Sequence, residues 1–326
     1  MDEPLVSILV ISYNSSRFIL ETLDSAFSQS YKNVELVVSD DGSSDNTVEI
    51  VKKWMQDHRS RFVRCVVLES PHNTGIPANC NRAVKAARGE WIRIIAGDDL
   101  LTKDGIMLQI AFAKEEMNVI VSDILCFKGS SNPMEPFGVI RIGESLPWFF
   151  ETDAQSQYRY LLYHYNIGLG ISTIVRRNVY EKVAMYDERY PLEEDTMFQL
   201  NLTKLGIKYY YYQCPATYYR VHESVSNTND EAVMNKKYEE TKMRIRRENI
   251  YPDIAWYDVT YWETELIDYL LYYLTFHVFN NKKSLISDFA FRILARFRLL
   301  YYRNKILDRY YRYVWTKGKS QHYLEK

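Results

Sequence analysis

The chain has 326 residues, 47% of them hydrophobic, which allows two domains with sizeable cores. Its four cysteines, Cys65, Cys80, Cys126 and Cys214, show no CxxC or paired spacing, so neither a disulfide framework nor a zinc site is expected, and a reducing cytosol is the natural compartment. The formal net charge is −1; no basic residue precedes Arg17 and no apolar run approaches the roughly 18 residues of a spanning helix, so neither a secretory signal nor a transmembrane segment is expected.

Leu5 to Ile11 is an apolar, β-branched run that ends in Ser12-Tyr13-Asn14-Ser15-Ser16, a cluster of turn and N-cap residues. Phe18, Ile19, Leu23, Ala26 and Phe27 then recur at helical spacing through Gln29. Val34 to Val38 predicts a second strand, broken by Ser39-Asp40-Asp41-Gly42-Ser43-Ser44-Asp45, and Val48, Val51, Trp54 and Met55 mark a second helix. Phe62 to Leu68 predicts a third strand, and Ala78 to Ala87 a third helix stopped at Gly89. Ile92 to Ile95 is a buried strand that breaks at Ala96-Gly97 into Asp98 and Asp99. Strands alternating with helices imply a mostly parallel sheet with right-handed crossovers.

Beyond Asp99 the pattern is less regular. Thr102 to Ala113 reads as a helix, Val119 to Phe127 as a strand, and Gly129 to Pro147 as a Pro/Gly/Ser-rich excursion. Gly168 to Val175 predicts a strand followed by a helical turn at Val179 to Val183. Pro191-Leu192-Glu193-Glu194-Asp195 runs into an amphipathic stretch, Met197 to Leu205, and Tyr209 to Tyr212 reads as a strand. After Asn227 come long charged or aromatic helices broken at Pro252, so a boundary falls near residue 228, between a body of 1–228 and a helical region of 229–326.

Three acid pairs follow strands or open a helix: Asp40-Asp41, Asp98-Asp99 and Glu194-Asp195. In an open α/β sheet ligands bind beyond the carboxyl ends of the strands, where such oxygens can hold Mg²⁺ or Mn²⁺ against phosphate. Taken singly, Asp98-Asp99 is also what a solvated turn contains, and Glu194-Asp195 what a helix dipole favours in a first turn.

The combination resembles the inverting glycosyltransferases of family 2, with the GT-A, nucleotide-diphosphosugar-binding fold. The resemblance runs through Pro4-Leu5-Val6-Ser7-Ile8, Ser12-Tyr13-Asn14, Ser39 to Asp45, Asn73, Gly75, Asn81, Ala87 to Ile92, Gly97-Asp98-Asp99, Glu194-Asp195 and Tyr219-Arg220-Val221-His222-Glu223-Ser224-Val225-Ser226. It implies a Rossmann-like, mostly parallel α/β sheet flanked by helices, with a helical C-terminal extension. It implies that Asp41, with Asp40 beside it, contacts the donor base, that Ser12, Tyr13 and Asn14 line the same pocket, and that Asn81 belongs to it. Asp98 stands as the metal-binding acid of a DxD-type motif with Asp99 in support, and His222 as a position that completes the ligand set of Mn²⁺ or Mg²⁺. The resemblance likewise implies that Glu194-Asp195 is the catalytic pair, with Asp195 the general base for an acceptor hydroxyl.

Two positions depart from the family pattern. Ala96 stands where the DxD pattern has its first acid, and Cys80 where many members carry an arginine; Arg82 and Arg220 are the candidate phosphate contacts in its place. The implied activity is transfer of a sugar from a nucleoside-diphosphate donor, UDP favoured, to a glycan or polyprenyl-linked acceptor in surface polysaccharide synthesis, such as capsule or O-antigen. A catalytically idle binding or assembly subunit is one alternative, left open by Ala96. A sugar nucleotidyltransferase is another, although the turn at Ser12 to Ser16 lacks the glycine-rich, Arg-containing loop expected of one. Gly318-Lys319-Ser320 is no P-loop, because Tyr313 stands where a glycine is required.

The tail differs from the body. From Lys282 to Lys326 there are twelve Lys/Arg against three Asp/Glu, and Ile286, Phe289, Ala290, Ile293, Phe297, Leu300 and Tyr301 fall on one helical stripe flanked by Arg292, Arg296 and Arg303. That is the composition of an interfacial helix drawn to anionic lipid, and equally of a helix packed on the body. Peripheral contact through 285–303 with the cytoplasmic face of the inner membrane is the expectation. Nucleic acid is not expected, since the body is acidic and the tail has no reading motif.

Overall fold

The computed structural model describes residues 3–129, 135–164, 167–168, 170–221, 233–307 and 309–310. They form two compact units, divided between His222 and Glu223. The first unit is built on β1 (Val6–Ser12), α1 (Ile19–Phe27), β2 (Val34–Asp40), α2 (Thr47–His58), β3 (Cys65–Glu69), α3 (Ile76–Ala86) and β4 (Trp91–Ala96). It continues with β5 (Leu100–Leu101), α4 (Gly105–Phe112), β6 (Val119–Phe127), β7 (Gly138–Ile140), α5 (Ile142–Ser145), α6 (Pro147–Glu151), α7 (Ala154–His164), β8 (Thr173–Arg176), α8 (Arg177–Lys182), α9 (Glu194–Lys204) and β9 (Tyr209–Arg220). Among the described residues these strands make one nine-stranded sheet in the order β3-β2-β1-β4-β8-β6-β9-β5, with β7 also on β6.

The strands β3, β2, β1 and β4 run parallel, and both of their faces are covered by helices, which is why Val6 to Val10 and Val34 to Val38 are buried without alternation. On this half Ile19, Leu23 and Ala26 of α1 and Val51, Trp54 and Met55 of α2 pack against Val6, Ile8, Val10, Leu36 and Val38. β8 runs antiparallel to both β4 and β6, so β6 returns to the direction of β4, and β9 follows β6 in parallel. The register sets Ser12 beside Asp40 and Ile11 beside Ala96, and brings Arg220 beside Phe127. The carboxyl ends of six strands, β3, β2, β1, β4, β6 and β9, therefore share one edge.

The sequence pattern and the structure differ at several ends. The third strand starts at Cys65 and not at Phe62, because Arg59–Arg61 forms a 3-10 turn whose Arg61 guanidinium donates to the carbonyls of Phe27, Gln29, Tyr31 and Lys32. The strand expected from Gly168 begins at Thr173, and the one expected over Tyr209 to Tyr212 extends through Pro215 to Arg220, with a register shift opposite Ser122 and Asp123. The described part of the Gly129 to Pro147 excursion carries β7 and α5, which no periodicity announced.

The second unit contains α10 (Lys236–Ile245), α11 (Val259–Tyr273) and α12 (Leu285–Arg296), followed by helical residues 299–307. Pro252 sits in a 3-10 turn between α10 and α11. Arg246 bridges Glu265 and Asp268, which raises its basicity further, and Arg298 and Arg303 pair with Asp268 and Asp258. No described helix is long and apolar enough to cross a membrane.

Candidate active site

Each acid pair stands at or beyond the shared edge, and each is held differently. Asp40 ends β2 and is buried; its carboxylate accepts from Ser12 Oγ (2.9 Å), Ser43 N (2.8 Å) and Ser43 Oγ (2.6 Å). Asp41, also buried, accepts from Thr74 N (2.9 Å), Thr74 Oγ1 (2.5 Å), Gly75 N (2.8 Å) and Arg82 Nη2 (3.2 Å). It thereby fixes the loop that starts α3, where Gly75 has a φ of +92° that favours glycine. Asn14, at φ +48°, accepts from Ser44 N (2.8 Å) and donates its backbone N–H to Ser43 Oγ (2.8 Å), so the turns after β1 and β2 form one wall beside the half-exposed Tyr13.

Asp98 and Asp99 follow β4 in a turn started by Gly97, whose N–H donates to Ile11 O (2.8 Å). Gly97 is packed too closely for any larger residue to enter without displacement, since a Cβ there would stand 3.0 Å from Ser15 Oγ. Asp98 is partly exposed, while Asp99 is buried and accepts the Arg220 N–H at 2.8 Å. Arg220 itself is enclosed. Its Nε donates to Asp98 O (2.7 Å), Nη1 to Gly129 O and Nη2 to Glu21 (2.8 Å), and its guanidinium lies 4.3 Å from the Phe18 ring centroid and 4.5 Å from that of Phe127. Arg220 thus shapes the turn from beneath. Arg82 is likewise committed, to Asn79 Oδ1, Thr74 Oγ1 and Asp41.

Asn81 lies farther along α3. Its amide donates to Tyr186 O and Glu188, and accepts from Tyr186 N (2.9 Å each), so it clips α3 to the 186–188 loop. His222 lies outside the described residues, as do Glu223 to Ser226.

Glu194 and Asp195 open α9. Because β8 is antiparallel to β4, the chain just before Thr173 lies beyond the carboxyl end of β4. There Gly170 faces Asp195 so closely that a Cβ on it would stand 2.2 Å from Asp195 Oδ2. Burial raises both carboxyls well above the carboxylate range; neighbouring acids add to this, Asp195 and Glu193 acting on Glu194 and Glu193 on Asp195. The buried Cys80 thiol is pushed up by burial and then by the charges of Glu194, Asp195 and Asp41, so α3 lies within electrostatic reach of both acid pairs. Gly170 does not stand out in the sequence, although two glycines within three residues of an expected strand signal a close backbone approach.

Among the described residues no three His, Cys, Asp or Glu side chains converge on a point. Asp98 and Asp99 fit the mode of hard-cation binding in which one or two carboxylates are completed by phosphate oxygens and water.

The Glycosyl transferase family 2 profile matches residues 7–184. WfaP of Escherichia coli, a UDP-Glc:α-D-GlcNAc-diphosphoundecaprenol β-1,3-glucosyltransferase, is 29% identical over 225 residues, 69% of this chain and 80% of WfaP. EpsH of Bacillus subtilis, a putative glycosyltransferase by name, is 25% identical over 69% of this chain and 63% of its own. Among solved structures, S. aureus TarS 1-349 in complex with UDP-GlcNAc aligns with a TM-score of 0.57 at 21% identity, covering 89% of this chain and 79% of that one. The mannosyltransferase PcManGT from Pyrobaculum calidifontis, in complex with GDP-Man and Mn²⁺, aligns at 0.53 and 17% identity, over 90% and 74%. This chain spans 44% of the longer TarS structure. These two likenesses concern the fold.

Proposed function

From the premise that this chain belongs to glycosyl transferase family 2 and has the GT-A fold, we propose that it transfers a sugar, with inversion, from a UDP-sugar to a hydroxyl of a glycan acceptor, as a hexosyltransferase. The acceptor is lipid-linked and the setting is assembly of a surface polysaccharide such as capsule or O-antigen. The observation that carries this reading is the gathering of Asp40-Asp41, Asp98-Asp99 and Glu194-Asp195 around one edge of the parallel half-sheet.

The wall made by Ser12, Tyr13, Asn14 and Ser43-Ser44 takes the nucleoside, with Asp40 and Asp41 fixing its floor. Asp98 and Asp99 face the diphosphate, and would hold Mn²⁺ or Mg²⁺ together with its oxygens. When bound, that ion neutralises charge on the departing diphosphate. Asp195 takes the proton of the acceptor hydroxyl as its oxygen attacks the anomeric carbon, while the bond to the diphosphate breaks on the opposite face. A base raised toward neutrality by burial holds that proton better than an ordinary carboxylate, and general bases typically contribute about 10²–10⁴-fold. Glu194 shares the titration of this pair.

Residues 1–228 form the catalytic domain in this reading. Residues 229–326 are an accessory region whose segment 285–303 touches the anionic cytoplasmic face of the membrane, where a polyprenyl-linked acceptor resides.

The test is thermal stability of the full chain against a panel of nucleoside diphosphates with and without Mn²⁺. A ligand at 100 times its Kd should add about 2.7 kcal/mol. UDP should stabilise in a Mn²⁺-dependent way, Asp98→Ala should lose the metal-dependent part, and Asp195→Asn should keep nucleotide binding while abolishing transfer. Stabilisation by no nucleotide would place the chain with the idle assembly subunits instead.

A further inference from the structure

Asp195 lines a small, partly open cavity together with Gly170, Tyr180, Tyr186, Gln199 and Tyr209. Gln199 is 2% exposed, and among the described residues neither its Nε2 nor its Oε1 has a hydrogen-bond partner. A primary amide taken out of water with both ends unmet is costly, so a fully buried one calls for an explanation. Gln199 stands four residues after Asp195 on α9, hence on the same helix face. The cavity is about 20 Å³, above the roughly 10–15 Å³ that one water molecule requires.

We propose that one buried water links the Gln199 amide to the Asp195 carboxylate, making Gln199 a positioning residue that sets the proton affinity of the base. The idea rests on Asp195 being the base. Gln199 Nε2 donates to the water oxygen, and the water donates to the carboxylate. A hydrogen bond to the charged form favours that form, so the bridge limits how far burial raises Asp195. The other ionisable groups facing Asp195 are Glu193 and Glu194 on its own helix, Cys80 from α3, Tyr180 and Tyr186 around α8, and Tyr209 from β9, with Arg93 behind Tyr180. The three phenols and the thiol are all pushed above their usual values by burial, so they stay neutral while Asp195 titrates.

The experiment is a ¹³C NMR titration of the full chain labelled at aspartate Cγ, with the Asp195 signal assigned by its loss in Asp195→Asn. Gln199→Leu removes both amide ends, and Gln199→Met does so at nearly unchanged length. Either should move the Asp195 midpoint to higher pH by about one unit, since a hydrogen bond to a charged group is worth about that much. A folded variant with an unmoved midpoint overturns the proposal. A crystal structure of the unaltered chain tests it independently. A water about 2.7–3.2 Å from both groups supports the bridge, and a dry cavity overturns it. If Asp195→Asn still transfers sugar, the assignment of the base fails while the titration still reports on the bridge.

Discussion

Gly170 leaves no room for a side chain beside Asp195, and this makes the base sensitive to a single methyl group. The atom that would be struck first is Oδ2 of a rotatable carboxylate, so Gly170→Ala should turn the base aside more than it unfolds the chain. The expected result is at least a 10²-fold fall in sugar transfer, of the order a misplacement of about 1 Å produces, with a thermal midpoint close to that of the parent. The raised carboxyls have a separate consequence for stability. Glu194 and Asp195 hold protons more tightly in the folded chain than in the unfolded one, where their pKa values return to about 4. Between that value and their raised ones the folded state carries more protons. Their contribution is complete below the ordinary carboxylate range and is lost as pH rises through their raised values, that of Glu194 last. Urea denaturation at a series of pH values should show this decline, and Glu194→Gln should flatten it. The acid pairs themselves were legible as residues, because carboxylates after apolar runs stand out in one dimension. Gln199 was not, because a lone polar residue in the amphipathic stretch after Met197 looks like any surface position until the helix is seen to bury it.

At the scale of elements, β9 is where sequence pattern and structure diverge most. A tyrosine run suggested a short strand, yet pairing with β6 carries it to Arg220. Pro215 is tolerated because the register shifts where it sits, leaving its missing N–H outside the regular ladder. Most of the parallel half was readable, since β1, β2 and β4 are largely buried and show it as apolar runs interrupted only at Ser7, Glu35 and Arg93. The α3–loop clip by Asn81 spans 105 residues and could not be seen in any local window. The end of β9 delivers Arg220 into its aromatic sandwich, and Arg220→Met should keep the packing against Phe18 and Phe127 while removing the guanidinium's bonds to Glu21 and to the carbonyls of Asp98 and Gly129. A loss of about 3 kcal/mol in chemical denaturation is expected, the lower end for a broken buried pair, because Glu21 retains partial exposure. Weaker Mn²⁺-dependent UDP stabilisation should accompany it, since the Asp98-Asp99 turn loses its support.

For the molecule as a whole, the tail remains the part that sequence described by composition alone. On α12 the polar Ser287 is fully buried, while Leu285, Ile286, Phe289 and the following Phe297 are 62–90% exposed, with Arg292 and Arg296 exposed among them. Along α12 these apolar side chains are thus turned outward, whereas Leu300 of the expected stripe is buried, and the outward ones support the proposed lipid contact. The full chain should float with vesicles containing anionic phosphatidylglycerol and not with neutral phosphatidylcholine ones. Phe289→Glu should abolish flotation without changing the melting point. Size measurement in the same experiment reads the competing outcome, a dimer that Phe289→Glu dissolves. The Glu21–Arg220 contact, finally, joins residues 199 positions apart. Such a contact cannot nucleate folding, because closing so long a loop is entropically expensive before other structure has drawn its ends together. As the chain emerges from the ribosome, β1 to β4 have their sequence partners early, whereas the turn bearing Asp98 and Asp99 acquires its bonds to Arg220 only after that residue has been synthesised. Competence to bind a nucleotide should therefore arrive in the last folding phase of the first unit, later than most of its secondary structure.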